Sequence, residues 1–145
     1  MKIFLDTNVL ASAIATRGLC ADVLRGIIEA HQLVVSDPLL IELKRILQKK
    51  FQVPKDHVVD FIEFIRQDSI FSVPGDQPEI AIRDKDDLVI LSSAINGNAD
   101  LFVTGDKELL DLEKLESMEI ISPRTCWKRL QTQSRQKSKD ISQKN

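Results

Sequence analysis

Tyrosine is absent from this sequence and tryptophan occurs once, at Trp127. A surface that reads bases by aromatic stacking therefore has little to build on. Five scattered glycines form no glycine-rich phosphate loop, and no G-x-S-x-G nucleophile motif occurs. The two cysteines, Cys20 and Cys126, are far apart and lack metal-ligand spacing, so free thiols are favoured over a disulfide. His31 and His57 lie in helical or loop stretches and read as surface histidines. No apolar run approaches the roughly 18 residues of a membrane span. Asp6 interrupts the N-terminal apolar stretch too early for a signal peptide. A cytoplasmic protein without membrane association is the expectation.

Charge of one sign is also missing: 20 basic residues face 22 acidic ones, for a net charge of −2. A chain that grips a polyanion must then do so through a local patch. The balance is uneven along the chain. From 131 to 145, Arg135, Lys137, Lys139 and Lys144 oppose Asp140 alone, giving +3 and leaving −5 for residues 1–130. That stretch holds one aliphatic residue, Ile141, too little to bury. It reads as a disordered polar tail that keeps the chain soluble.

What is present fits a single domain, since 145 residues at 43% hydrophobic content can bury a sizeable core. Short, nearly all-apolar runs at 2–5, 33–35, 70–73, 101–103 and 119–121 predict strands covered on both faces. Helical periodicity separates them at 9–15, 21–30, 56–66, 87–96 and 107–112. A further helix is expected in "SDPLLIELKRILQKKF", with Asp37 as N-cap and Pro38 in the first turn. This alternation predicts an α/β fold with helices on both faces of an open sheet. Ligands of such sheets sit beyond the carboxyl ends of the strands.

The acids fall where that rule places a site. Asp6 ends the first strand in "KIFLDTN". Glu42 lies in the second turn of the helix after the second strand. Asp87 opens a helix in "RDKDDLVILSSA", and Asp106 follows the fourth strand in "LFVTGDKELL". Singly, Asp84, Asp86 and Asp106 could be helix caps and Glu42 solvated surface. Together, four carboxylates at one sheet edge repel, by roughly 4 kcal/mol for two charges 4 Å apart at a surface-like dielectric. Apart from Arg83 and Lys107, no base recurs at these strand ends. Hard divalent cations, Mg²⁺ or Mn²⁺, are the natural counter-charge, and such sites commonly handle phosphates.

These segments resemble a known family. "FLDTNVL", "SDPLLIEL", "DDLVILSSA" and "LFVTGD" are similar, in this order, to the four motifs of PIN-domain ribonucleases. The resemblance covers about residues 1–130 and is nearest to the VapC-like toxin components of toxin–antitoxin systems. It implies a three-layer α/β/α fold on a central parallel sheet of order 3-2-1-4-5, and Mg²⁺- or Mn²⁺-dependent hydrolysis of RNA. It further implies that Asp6, Glu42, Asp87 and Asp106 form the catalytic, metal-holding quartet. Asp6 and Asp87 would be the direct ligands, Glu42 would complete the shell or orient water, and Asp106 would support a second position. Asn8 and Thr104 would brace the carboxylates. The doublet Asp86-Asp87 leaves either as the ligand, with the spacing to Ile90 and Ala94 favouring Asp87. An antitoxin partner and a homodimer also follow from the resemblance.

Two other readings compete. A haloacid-dehalogenase-like phosphatase also ends its first strand on Asp, but needs a second Asp where this chain has Asn8, and an amide cannot relay that proton. A catalytically silent RNA- or protein-binding module would use the acids only as caps and surface charge. If RNA is the substrate, basic residues at the cleft rim must offset the acids. Arg45 and Lys49 share a helical face with Glu42 and are the first candidates, with Arg83 and Lys107 beside the other acids.

Overall fold

The computed structural model describes residues 1–143, with side chains through Gln133. Its elements run β1 (Lys2–Leu5), α1 (Thr7–Ala15), α2 (Leu19–Ala30), β2 (Gln32–Ser36), α3 (Asp37–Lys49), α4 (Lys55–Asp68) and β3 (Ile70–Ser72). There follow α5 (Lys85–Asn96), β4 (Leu101–Val103), α6 (Lys107–Leu110), β5 (Lys114–Leu115), β6 (Met118–Ile121) and α7 (Pro123–Gln143).

The sheet has the order β3-β2-β1-β4-β6-β5. Five strands are parallel, and their order is the expected 3-2-1-4-5 once β6 is counted as the fifth. The difference is β5, a two-residue strand that pairs antiparallel with β6 and makes the sheet mixed. Helices flank it in the α/β/α manner. Strand β1 lies at the centre, hydrogen-bonded to β2 and β4, and its Ile3, Phe4 and Leu5 are fully buried. Phe4 faces Phe102 of β4 in register, with ring centroids 5.5 Å apart and planes 9° from parallel. Burial of such side chains contributes roughly 1.5–3 kcal/mol each.

Several boundaries differ from the sequence expectation. The cap of α3 is Ser36, whose Oγ accepts from the Leu39 N–H at 3.5 Å, and Asp37 is the first helical residue. Helix α5 begins at Lys85, because Asp84 caps it by accepting from the Asp86 N–H at 2.9 Å. Asp87 therefore sits within the first turn. Helix α7 was not anticipated. Ser122 precedes Pro123 and accepts from the Thr125 N–H at 3.2 Å, a capping arrangement that starts a helix. Cys126 and Leu130 bury its inner side, and Leu130 Cδ1 lies 3.1 Å from where a side chain on Gly26 would begin. The backbone stays helical past the expected boundary at 130 and on to Gln143; the last two positions of the expected tail lie outside the described residues. Lengthening a started helix adds one hydrogen bond per residue fixed, without a new nucleation cost.

Both cysteines are free, and burial pushes the Cys126 thiol up to about 11. Among the described residues no helix is long and apolar enough to cross a membrane.

Candidate active site

Parallel strands β1 and β4 end side by side, and the chain leaves both at the same edge of the sheet. Asp6 follows β1 directly and Thr104 follows β4. The Thr104 hydroxyl donates to Asp6 Oδ2 at 2.7 Å, and the Thr7 N–H donates to Oδ1 at 2.8 Å. Thr104 Oγ in turn accepts from the Asp106 N–H at 3.0 Å. One buried threonine thus joins two strand ends and braces Asp6, which is only 9% exposed. Asp6 also caps α1, and Asp106 caps α6 by accepting from the Glu108 N–H at 2.9 Å. Capping and a place in the cleft are therefore compatible at both positions.

A cleft of about 640 Å³ opens at this edge. It is lined by Asp6, Glu42, Asp87 and Asp106, together with Asn8, Arg83, Asp84, Gly105 and Glu108. Acids far apart in the chain are thus gathered from the turns after β1 and β4, the start of α5 and the second turn of α3. Asn8 lines the cleft, but among the described residues it makes no hydrogen bond to the carboxylates, so the bracing expected of it falls to Thr104 and Thr7 alone. Asp86 points elsewhere. It lines a neighbouring groove of about 430 Å³ with Pro38, Ile41, Arg45, Val89 and Ile90, and Glu42 belongs to both spaces. Arg45 is therefore beside the site, whereas Lys49, in the last turn of α3, and Lys107 line neither space. Two lining acids, Asp84 and Glu108, were not anticipated as site residues. A cap position in "RDKDD" and a location two residues past Asp106 were the available signals.

The electrostatics follow from the crowding. Burial holds the Asp6 carboxyl above the ordinary carboxylate range, against the lowering effect of its bonds to Thr104 and Thr7; the Asp106 charge adds to the rise. Glu42 is raised by burial and by Asp6, Asp84 and Asp86, with Arg45 pulling the other way. Asp87 is pushed up to about 7 by burial, then by Asp6, Asp84, Asp106 and Glu42. Neighbouring carboxylates thus add to burial in making Asp6, Glu42 and Asp87 harder to ionise.

All these donors are oxygen, and carboxylate-rich oxygen sets suit hard divalent ions such as Mg²⁺ and Mn²⁺. Among the described residues no three such groups stand close enough to hold an ion as they are. A cation would have to draw them together. The donor chemistry fits the ion.

A family model described as PIN domain matches residues 2–108. Comparison with curated proteins gives no match. Six chains of solved structures match. One belongs to the crystal structure of VapBC2 from Rickettsia felis bound to a DNA fragment from their promoter, with a TM-score of 0.59 and 18% identity. That match covers 84% of this chain and 98% of the other, and at such identity it speaks for the fold.

Proposed function

This chain belongs to the PIN-domain family, and we propose that it is a ribonuclease that hydrolyses RNA phosphodiester bonds in the acidic cleft with Mg²⁺ or Mn²⁺ bound there. The observation that carries this reading is the convergence of Asp6, Glu42, Asp87 and Asp106 on one cleft at the carboxyl edge of the sheet. A charge cluster of this kind is costly to the fold unless a cation is its purpose.

Asp6 and Asp87 would hold the ion, with Glu42 completing its shell or orienting water and Asp106 supporting a second position. When bound, a divalent ion lowers the pKa of water and offsets charge on phosphoryl oxygens. The chain's own contribution is rigidity and proton handling. Thr104 and the Thr7 N–H fix both oxygens of Asp6, so this carboxylate cannot rotate away from the cleft. Asp87 titrates near neutrality in the metal-free protein, so its occupancy by a proton or a cation is set by pH around 7. Glu42 stands where the cleft meets the neighbouring groove, and Arg45 lines that groove. We place one flank of the RNA strand there, where Arg45 offsets its phosphate charge.

The VapC-like resemblance extends the proposal to a toxin component with an antitoxin partner, acting as a homodimer in the cytoplasm. The fold likeness to a chain of the VapBC2 structure is in keeping with it. The metal site is tested by thermal denaturation with increasing Mn²⁺. Wild type should gain stability and Asp6→Asn should not. Equal responses would remove Asp6 from the metal site.

A further inference from the structure

Residues 73–84, which connect β3 to α5, cross the carboxyl edge of the sheet without helix or strand. Three points fix this arm. The Asn96 side-chain amide donates to the Val73 carbonyl at 2.7 Å. Ile80 and Ile82 are half-buried against the core, while Ala81 and Arg83 face outward. At the far end, the Arg83 N–H donates to Glu108 Oε1 at 2.7 Å. The Glu108 N–H meanwhile donates to Asp106 Oδ1 at 2.9 Å. Glu108 therefore ties the arm to the turn that carries Asp106.

Arg83 is the one basic side chain lining the cleft among the described residues. Six carboxylates line the same space. An arginine so surrounded would ordinarily be consumed by an ion pair, yet among the described residues its side chain takes part in none. Glu108, one of the lining acids, accepts the backbone N–H of Arg83 through Oε1 and forms no ion pair with its side chain. Arg83 is thus anchored through its backbone, while its side chain stays unpaired among the described residues in the lining of the cleft.

We infer that Arg83 is the phosphate-gripping residue of this cleft and that Glu108 is a positioning residue that holds it there. The inference rests on the ribonuclease reading and names the contact by which the cleft would engage the strand. A guanidinium offers a planar fork of donors that matches two phosphate oxygens. It also supplies the positive charge that the carboxylates deny to the substrate.

The test is fluorescence anisotropy of a labelled single-stranded oligoribonucleotide with the full chain in Ca²⁺, the recovered RNA being run on a gel to confirm that it stays intact. Cleavage in Mn²⁺ is measured alongside. Arg83→Ala should raise Kd about tenfold, equivalent to about 1.4 kcal/mol and typical of one charged hydrogen-bonded contact. It should also lower the salt slope by about one phosphate, and Arg83→Lys should restore part of the affinity. Glu108→Ala should weaken binding in the same direction, with its cleavage defect falling on KM more than on kcat. Glu108→Gln, whose amide oxygen still accepts the Arg83 N–H, should bind far better than Glu108→Ala. If Glu108 acts only as a repelling charge, both Glu108 variants will bind RNA more tightly than wild type, and the inference falls. Wild-type cleavage together with unchanged binding by folded Arg83→Ala overturns the inference and leaves the nuclease reading standing. Folded wild type that neither binds nor cleaves overturns both.

Discussion

Replacing Asp87 with asparagine should make the metal-free protein more stable at alkaline pH. The carboxyl group is held near 7 in the folded state, against an ordinary 3.8. Below about pH 4 it is protonated in both folded and unfolded chains and imposes no penalty. Between about 4 and 7 the unfolded chain ionises it freely while the folded chain resists, so stability falls as pH rises through that window. Roughly three units at 1.36 kcal/mol each set an upper limit of about 4 kcal/mol. Asp87 is only half-buried, so solvent screening reduces the recoverable part to roughly 1–2 kcal/mol. Asparagine keeps the shape without the charge, and no hydrogen bond to the Asp87 side chain is lost among the described residues. At about 3 °C per kcal/mol for a chain of this size, Asp87→Asn should melt about 3–6 °C higher than wild type at pH 8 in EDTA. At pH 4 the two should coincide. Saturating Mn²⁺ should reverse the order at pH 8, because the ion stabilises only a protein that binds it. Differential scanning calorimetry across pH is the assay. Parallel wild-type and mutant curves from pH 4 to 8 would refute the claim that this carboxyl is crowded by its neighbours.

Two further outcomes are expected. The Thr7 hydroxyl is buried with no hydrogen-bond partner among the described residues, so Thr7→Val should raise stability by about 1 kcal/mol in urea unfolding; a loss of that size would mean the hydroxyl has a bound partner. Arg45 lines the groove beside Glu42 while Lys49 does not, so Arg45→Glu should weaken RNA binding and flatten its salt dependence more than Lys49→Glu; equal effects would argue against a strand path along that groove.

The parallel core was legible in the sequence because five short apolar runs, uninterrupted by charge, leave little choice but buried strands. β1 and β4 begin and end where the pattern places them. The small edge strand β5 was not legible. It is two residues long, and the turns around it use Glu113 at φ 60° and Glu116 at φ 55°, a conformation usually signalled by glycine. Gly97 shows the converse. It looks like a residue chosen for left-handed backbone at the end of α5, yet its φ is −83° and the left-handed residue is Asn98. Glycine is needed at 97 because a Cβ there would lie 2.7 Å from Val34 Cγ1. The close approach belongs to tertiary packing and leaves no local trace.

The four principal acids could be found from sequence because each stands next to a strand end or in the following helix, where topology forces convergence. Their companions could not. Asp84 and Glu108 resemble ordinary helix-start acids, and only the fold of the arm brings Asp84 to the cleft that Glu108 lines from α6. The basic residues were the least legible. Helical spacing groups Arg45 with Lys49 on the face of Glu42, but the groove ends before the last turn of α3.

The measurement that bears most directly on the proposed activity is cleavage of a labelled single-stranded RNA by the purified chain, wild type beside Asp6→Asn, with Mg²⁺, with Mn²⁺ and with EDTA. Wild type should cut only when a divalent ion is present, and Asp6→Asn, folded and at equal concentration, should lose at least about a hundredfold, in line with removal of a central electrostatic group. Cleavage that survives the mutation or the chelator would place the chemistry somewhere other than this cluster of acids.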